Sequence, residues 1–536
     1  MSRLSRSPAA APTAPGRLPL IGHALQLALR PLDFMDSLRR HGSVVRILLG
    51  PTPAYVVTDP AVTQKVLVKD VDDFAKGGKI IDALRVFFGD GLATIADGDL
   101  HMKHRRLMQP MFNKAHIATR GDVMIDHVRT VTGAWTPGVT RETYADMNDL
   151  TLSTFLVALF GSGLPDRVAE EFTSLMPAIM RGTIRQTILP GWVTKLPLPA
   201  NRAHEQHVAR LRALIDQAIE HHRAQLSAAA PAASEAPVGC PAHQPAERGP
   251  GGGLFSTLLT ADDPQTGPLS HQQLQDEAIT LLTGAIETTG TTLAWALYEI
   301  SRNPTVEKSL YAELDAACGD RPLTHQDLAS LPYMRRVLKE TMRMYGPAWL
   351  VTRTTTRPVT LDGHPIPKGA DVIYSPYIHQ HDPDVYSDPG TFDPGRWEPE
   401  RAKSVNRSSF LAFGDGRRKC IRLDGAPHHP CHGAPALAAD TRLGSPASAG
   451  HRDGQAGQVV DDTAAAYGLV ARTRSSSAAC RRGRSCLCRT RVFRDRPSDL
   501  ADGRLVFGDV LRVRRRPDCR VGWAPGSTVP EGRWGS

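Results

Sequence analysis

Residues Phe413-Gly414-Asp415-Gly416-Arg417-Arg418-Lys419-Cys420 concentrate unusual chemistry in eight positions. Thiolate is the form of cysteine that binds metal. Two glycines let a backbone turn through positive φ or approach a large flat group. Zinc and iron–sulfur clusters take several soft or imidazole ligands, and Cys420 has no second cysteine beside it. A single thiolate in a basic glycine turn therefore suggests an axial ligand to haem iron. The eight residues alone are also compatible with a basic surface loop carrying a stray cysteine.

Three other groupings could do chemistry. His101 and Arg105 are four apart in DLHMKHRRLM and share a helix face, with His104 one residue out of phase and expected at the surface. Glu340 and Arg343 are three apart in another helical stretch, a spacing that arises by chance in any long helix. Glu287 and Thr288 lie in LLTGAIETTGTTLAWALYEI, an apolar run crowded with threonine. Such crowding opposes helix propensity, and departures of this kind mark functional sites.

These residues need elements to hold them. VVRILLG and PAYVVTD (44–50, 53–59) read as a hairpin, and a helix follows from Ala61 to about Val71. Another helix begins after Asp97-Gly98-Asp99. Helical pattern dominates 120–226, broken at Pro137-Gly138 and between Pro190 and Pro199. Residues 227–253 form a low-complexity Pro/Ala/Gly connector. A long helix is expected over Ser270–Arg302 and a shorter one over Leu331–Tyr345, followed by short strands and a proline-rich meander. The fold class expected is mainly α with small β-sheets. Residues 1–17, rich in Pro and Ala, are expected to be disordered.

Composition narrows the function classes. The 536 residues allow two to four ordinary domains or one large one. Eight irregularly spaced cysteines and no secretory leader argue against a disulfide scaffold. No apolar run of 18 or more residues opens the chain, so no membrane anchor and a cytoplasmic location are expected. The net charge of +9 is concentrated in the tail: residues 422–536 hold 19 Arg, no Lys and 11 acids, leaving 45 basic and 44 acidic groups before them. The body thus gives no signal for nucleic acid.

Together, and in order, the motifs resemble those of the cytochrome P450 family from about residue 15 to 421. The family's F-G-x-G-x-R-x-C-x-G loop is matched from Phe413 to Ile421. Its E-x-x-R is Glu340/Arg343, its F-x-P-x-R-[FW] is Phe392 to Trp397, and its acid–alcohol pair is Glu287-Thr288. The resemblance implies a domain over 18–421 with the P450 fold, holding heme b. Cys420 would be the iron ligand, and His101, Arg105, Arg353 and Arg418 would pair with its propionates. Phe413 would complete the haem-binding loop. Glu340, Arg343 and Arg396 resemble the family's structural triad. Glu287 and Thr288 would hold water and relay protons to bound O2, or Thr288 would bond back to the preceding turn. The family has Ala-Gly before this pair; the Gly284-Ala285 found here would narrow the oxygen groove by a methyl.

The implied reaction inserts one oxygen atom from O2 into a small apolar substrate. Its electrons would come from an external ferredoxin and ferredoxin reductase, since no flavin or iron–sulfur module is evident; a monomer is expected. FAKGGK, LPLPANR and IYSPYIHQHDP resemble bacterial members that oxidise sesquiterpenes, making a terpene the expected substrate class. Leu84, Val86, Phe87, Phe88, Ile184, Trp349, Leu350 and Val351 are candidate pocket lining.

The resemblance ends at Ile421. Arg422 stands where the family has Gly, and prolines at 427, 430 and 435 oppose the helix that should follow. In 115 positions the tail contains no Lys, Asn, Ile or Met. Those residues use AT-leaning codons, so their joint loss suggests a different reading frame in GC-rich DNA. Synonymous codons exist for Ser448–Leu469 that, shifted by one base, encode a stretch like the family's last strands. The tail is expected to be aberrant and disordered, and a chain ending this way is expected to hold haem poorly.

Overall fold

The computed structural model describes residues 10–421, except 136–140, 161–165, 189–190, 230–253, 265 and 320. The expected break at Pro137-Gly138, most of the 227–253 connector and the whole 422–536 tail lie outside the described residues.

Five strands form the main sheet: Val44–Leu49 (β1), Thr52–Val57 (β2), Phe74–Ala75 (β3), Val351–Thr355 (β4) and Asp371–Tyr374 (β5). Their order is β1-β2-β5-β4-β3. The β2–β5 pair is parallel, with Ala54 opposite Asp371, and the other pairs are antiparallel. Side chains alternate across such a sheet. Tyr55, Val57, Val372 and Tyr374 accordingly face one apolar cluster, and Ala54, Val56 and Ile373 another.

Six helices matter most for the site. They are Lys79–Phe88 (α1), Asp99–Met108 (α2), Thr143–Phe160 (α3), Pro199–Ala229 (α4), His271–Arg302 (α5) and Pro332–Met344 (α6). α5 begins where the sequence places it. Ser270 accepts from the Gln273 N–H, and the Gln273 side chain accepts from the Ser270 N–H, a reciprocal cap that satisfies two otherwise orphan donors. Proline opens α6 at its first position, where no N–H is needed. The largest apolar cluster joins α5 to α1, α3 and α4 through residues such as Ile286, Phe87, Phe155 and Leu211.

Two expected boundaries move. The leader is ordered earlier than residue 17: Ala11 and Ala14 are buried, and the Ala14 N–H donates to the Arg46 carbonyl while the Arg46 N–H donates to that of Pro12. Alanines are small enough for an extended segment to lie against β1, and proline still supplies a carbonyl. The connector also starts later than 227, because α4 continues through Ala229.

Candidate active site

The cysteine loop is closed by its own backbone. The Cys420 N–H donates to the Phe413 carbonyl at 2.9 Å, and the Gly414 N–H to that of Leu411 at 2.9 Å. Gly414 and Gly416 have φ of +67° and +66°, and a Cβ on Gly416 would stand 1.9 Å from the Leu67 carbonyl oxygen. Glycine is required there on both counts. Cys420 and Phe413 are half-buried.

α2, β4 and the cysteine loop bring their cations together. Arg105 Nη1 donates to the carbonyls of Lys419, at 3.0 Å, and Arg417, at 3.4 Å. Arg418 bonds Asp97 at 2.7 Å and the carbonyls of Leu92 and Ile95. Arg353 is buried and donates to the Thr352 carbonyl. Burial, then the Arg418 charge, lowers the pKa of buried His101 to about 4. A further cation, half-buried Lys76, joins this group. Burial, followed by Arg353 and Arg418, lowers its pKa to about 7, with Asp97 acting in the opposite sense. Burial would raise the Asp97 carboxyl, but hydrogen bonds from Arg418 and the Lys76 N–H, with the charges of Arg418 and Arg353, hold it below the usual range.

On α5, Gly284 and Thr288 are exposed on one face, and Thr288 Oγ1 donates to the Gly284 carbonyl at 2.5 Å. Nothing lies within 4 Å of a Cβ added at Gly284. Ala285 packs instead with Ile286 in the main core. The expectation of a methyl narrowing the groove is therefore corrected: the 100° step between neighbours turns that methyl inward. Glu287 is half-buried, and burial pushes its carboxyl above the ordinary value.

Behind the loop lies a buried charge network. Arg343 donates twice to Glu340, both at 2.9 Å, and Arg396 once at 3.3 Å. The Trp397 indole completes it at 2.8 Å. Arg343 also ties down the meander through the Gln380 carbonyl.

The profile of the cytochrome P450 family matches residues 12–421. The chain belongs to the cytochrome P450 family. It is 39% identical to cyclooctatin synthase of Streptomyces melanosporofaciens over 410 residues, covering 76% of this chain and 84% of that one. Against pentalenene oxygenase of Streptomyces avermitilis it is 33% identical, covering 76% and 86%. The crystal structure of the cytochrome P450DA haem domain superposes with a TM-score of 0.66 at 22% identity, over 87% of this chain and 91% of that one.

Cytochromes P450 bind haem b, and the residues of this chain fit it. With His101 neutral near pH 7, the cluster gathers Arg105, Arg353, Arg418 and a partly protonated Lys76 around the Asp97 carboxylate. A partly buried pair of unit charges 4 Å apart interacts by about 4 kcal/mol, so cations gathered in this way favour anions among them. Two propionates would serve. Arg418 keeps capacity for one, since three of the five guanidinium N–H donors are used. Among the described residues no group of three or more His, Cys, Asp or Glu could hold a metal.

His104 departs from the expectation of a surface residue. It is fully buried, with Nδ1 2.5 Å from Glu277 Oε1, whose carboxyl burial pushes up. Its partner is 173 residues away and no local spacing reveals it. Lys76 was legible only as part of FAKGGK. The pocket candidates scatter: Phe87 and Phe88 are core residues in edge contact at 4.7 Å between ring centres, Val86 is exposed and Leu84 partly buried. Trp349 and Leu350 pack partly buried on one sheet cluster and Val351 on another. The Ile184 side chain lies outside those described.

Proposed function

We propose that this cytochrome P450 inserts one oxygen atom from O2 into a C–H or C=C bond of a small apolar molecule of the terpene class. For a hydroxylation, R–H + O2 + 2 e⁻ + 2 H⁺ gives R–OH + H2O. An external ferredoxin and ferredoxin reductase supply the two electrons, and the protein acts as a cytoplasmic monomer. Haem, when bound, would supply the O–O cleavage chemistry. The chain does the rest. Cys420 would hold the iron; Lys76, Arg105, Arg353 and Arg418 would hold the propionates; Thr288 and Glu287 would place a water and move its protons. The gathering of Lys76, Arg105, Arg353 and Arg418 around the cysteine loop carries this reading. The names of cyclooctatin synthase, cyclooctat-9-en-7-ol 5-monooxygenase and pentalenene oxygenase support the substrate class. No described helix is long and apolar enough to cross a membrane.

The test is a spin-shift screen of terpenes on protein whose frame after codon 421 is restored. Low-to-high spin conversion with a cyclic terpene, and oxygenated product on adding ferredoxin, ferredoxin reductase and NADPH, are expected. Binding confined to polar ligands would refute it.

One observation favours a second reading for the chain as it stands, an impaired P450. The family match ends at residue 421, where the residue usage changes. A single frame change near codon 422 accounts for both, and resequencing the locus checks it: an intact frame, with the natural protein at the corresponding mass, would contradict it.

A further inference from the structure

One stretch ahead of the main sheet leaves an unusual amount of apolar surface in water. Leu18, Leu20, Ile21, Leu25 and Leu29 are exposed, five of the thirteen large apolar side chains exposed among the described residues. Single exposed leucines are ordinary, but a cluster marks a contact surface. Leu18 to Gly22 is a tight turn: the Leu18 N–H donates to the Gly22 carbonyl at 2.9 Å, and the Gly22 N–H to that of Leu18 at 3.0 Å. At its tip Leu20 takes φ of +64°, a left-handed backbone that leucine rarely adopts, and with its side chain 93% exposed packing offers no compensation. Gly22 and His23 fix the turn to β1. A Cβ on Gly22 would stand 2.2 Å from the Leu48 carbonyl oxygen, and buried His23 accepts from the Leu48 N–H at 2.9 Å and donates to the Ala14 carbonyl at 3.0 Å. In the helix that follows, Ala24–Leu29, the residues Leu25, Ala28 and Leu29 share an exposed face, three and four apart, while Leu27 packs on a sheet cluster. The charge here is one-sided. Residues 1–32 include Arg3, Arg6, Arg17 and Arg30 and no Asp or Glu, the first acid being Asp33. Arg17 and Arg30 bracket the apolar residues and are exposed.

We propose that residues 17–30 are a lipid-contacting surface that seats this chain on the anionic cytoplasmic face of a membrane, lying on it without spanning it. Leu20, Ile21, Leu25 and Leu29 enter the boundary between headgroups and acyl chains, and Arg17 and Arg30 meet lipid phosphates, the division of labour of interfacial helices. The negative potential of the cytoplasmic leaflet attracts basic segments and holds them within a Debye length. A protruding apolar tip, fixed from behind and flanked by cations, suits a bilayer surface, where no complementary groove is needed. Such seating would bring the chain to where apolar molecules concentrate.

The test needs no haem and is independent of the monooxygenase reading. The full chain is sedimented with phosphatidylcholine vesicles, with and without phosphatidylglycerol. The 422–536 tail, with its 19 Arg, also attracts anionic lipid, so every comparison keeps it in place. Binding should rise with phosphatidylglycerol and fall with salt. Burying one leucine favours transfer by about tenfold, so Leu20→Asn with Leu25→Gln and Leu29→Gln should weaken binding at least about tenfold, asparagine being suited to the left-handed position. Arg17→Gln with Arg30→Gln should weaken it about fivefold per arginine, on phosphatidylglycerol vesicles alone. Val123→Gln, which removes an exposed apolar side chain elsewhere, should bind as the wild type does. Leu20→Trp, added to the seven tryptophans present, should contribute emission that lipids with brominated acyl chains quench, and it carries the test should the leucine variant not fold. Wild-type binding in both the leucine and the arginine variants, or no added quenching in Leu20→Trp, would overturn the proposal. So would a dimer that the leucine variant dissociates in a chain that ignores vesicles, since a second copy would then cover this surface. None of these results would touch the monooxygenase reading, which fails only if no apolar ligand shifts the haem spin state.

Discussion

Lys76 and His101 sit among guanidinium groups that lower their pKa values to about 7 and about 4. Propionates placed among the same groups would reverse part of that shift. Haem binding should then take up a proton at Lys76 once the pH exceeds about 7. Below that, lysine is charged with or without haem and the affinity is level; above it, affinity falls with rising pH until the haem-bound pKa is reached. Haem titrations at several pH values should show this slope, and Lys76→Met should flatten it. An unchanged slope in Lys76→Met would mean that Lys76 does not face the haem carboxylates. At this scale the sequence was readable where chemistry is local. His101 and Arg105 share a face four residues apart, and the structure brings both to the cysteine loop. His104, in the same helix, was misplaced because Glu277 lies on a distant segment.

At the scale of elements, α5 and the α6 network were the most legible. Capping residues bracket α5, and Glu340, Arg343 and Arg396 meet as their order implied. Two details were not. Trp397 donates into the network as a fourth member, and the Ala285 methyl faces the core, since only packing decides which side of a helix is buried. Breaking a buried ion pair by removing one partner costs about 3–5 kcal/mol, because the other charge is stranded. Glu340→Ala should lower the unfolding free energy by that amount in urea titrations, as it would strand Arg343 and Arg396, both nearly inaccessible. A loss under about 1 kcal/mol, the worth of an exposed pair, would show that the network is not closed.

Across the whole molecule the charge is uneven. The body, residues 1–421, carries net +1 (45 basic less 44 acidic groups) and matches the family almost throughout; residues 422–536 carry net +8 (19 less 11) and lie beyond the match. The fold was legible because its motifs are long and ordered; the tail was legible only through residue usage, which speaks of coding rather than packing. The central claim is that everything needed to hold haem up to Cys420 is in place, and that what fails lies after Ile421. The reduced carbon monoxide spectrum of the purified full chain, with haem content per chain, tests it most directly beside the frame-restored chain. The frame-restored chain should bind one haem and give the thiolate-type band, and the full chain should hold far less haem with little of that band. Full occupancy and a strong thiolate band in the full chain would contradict the account.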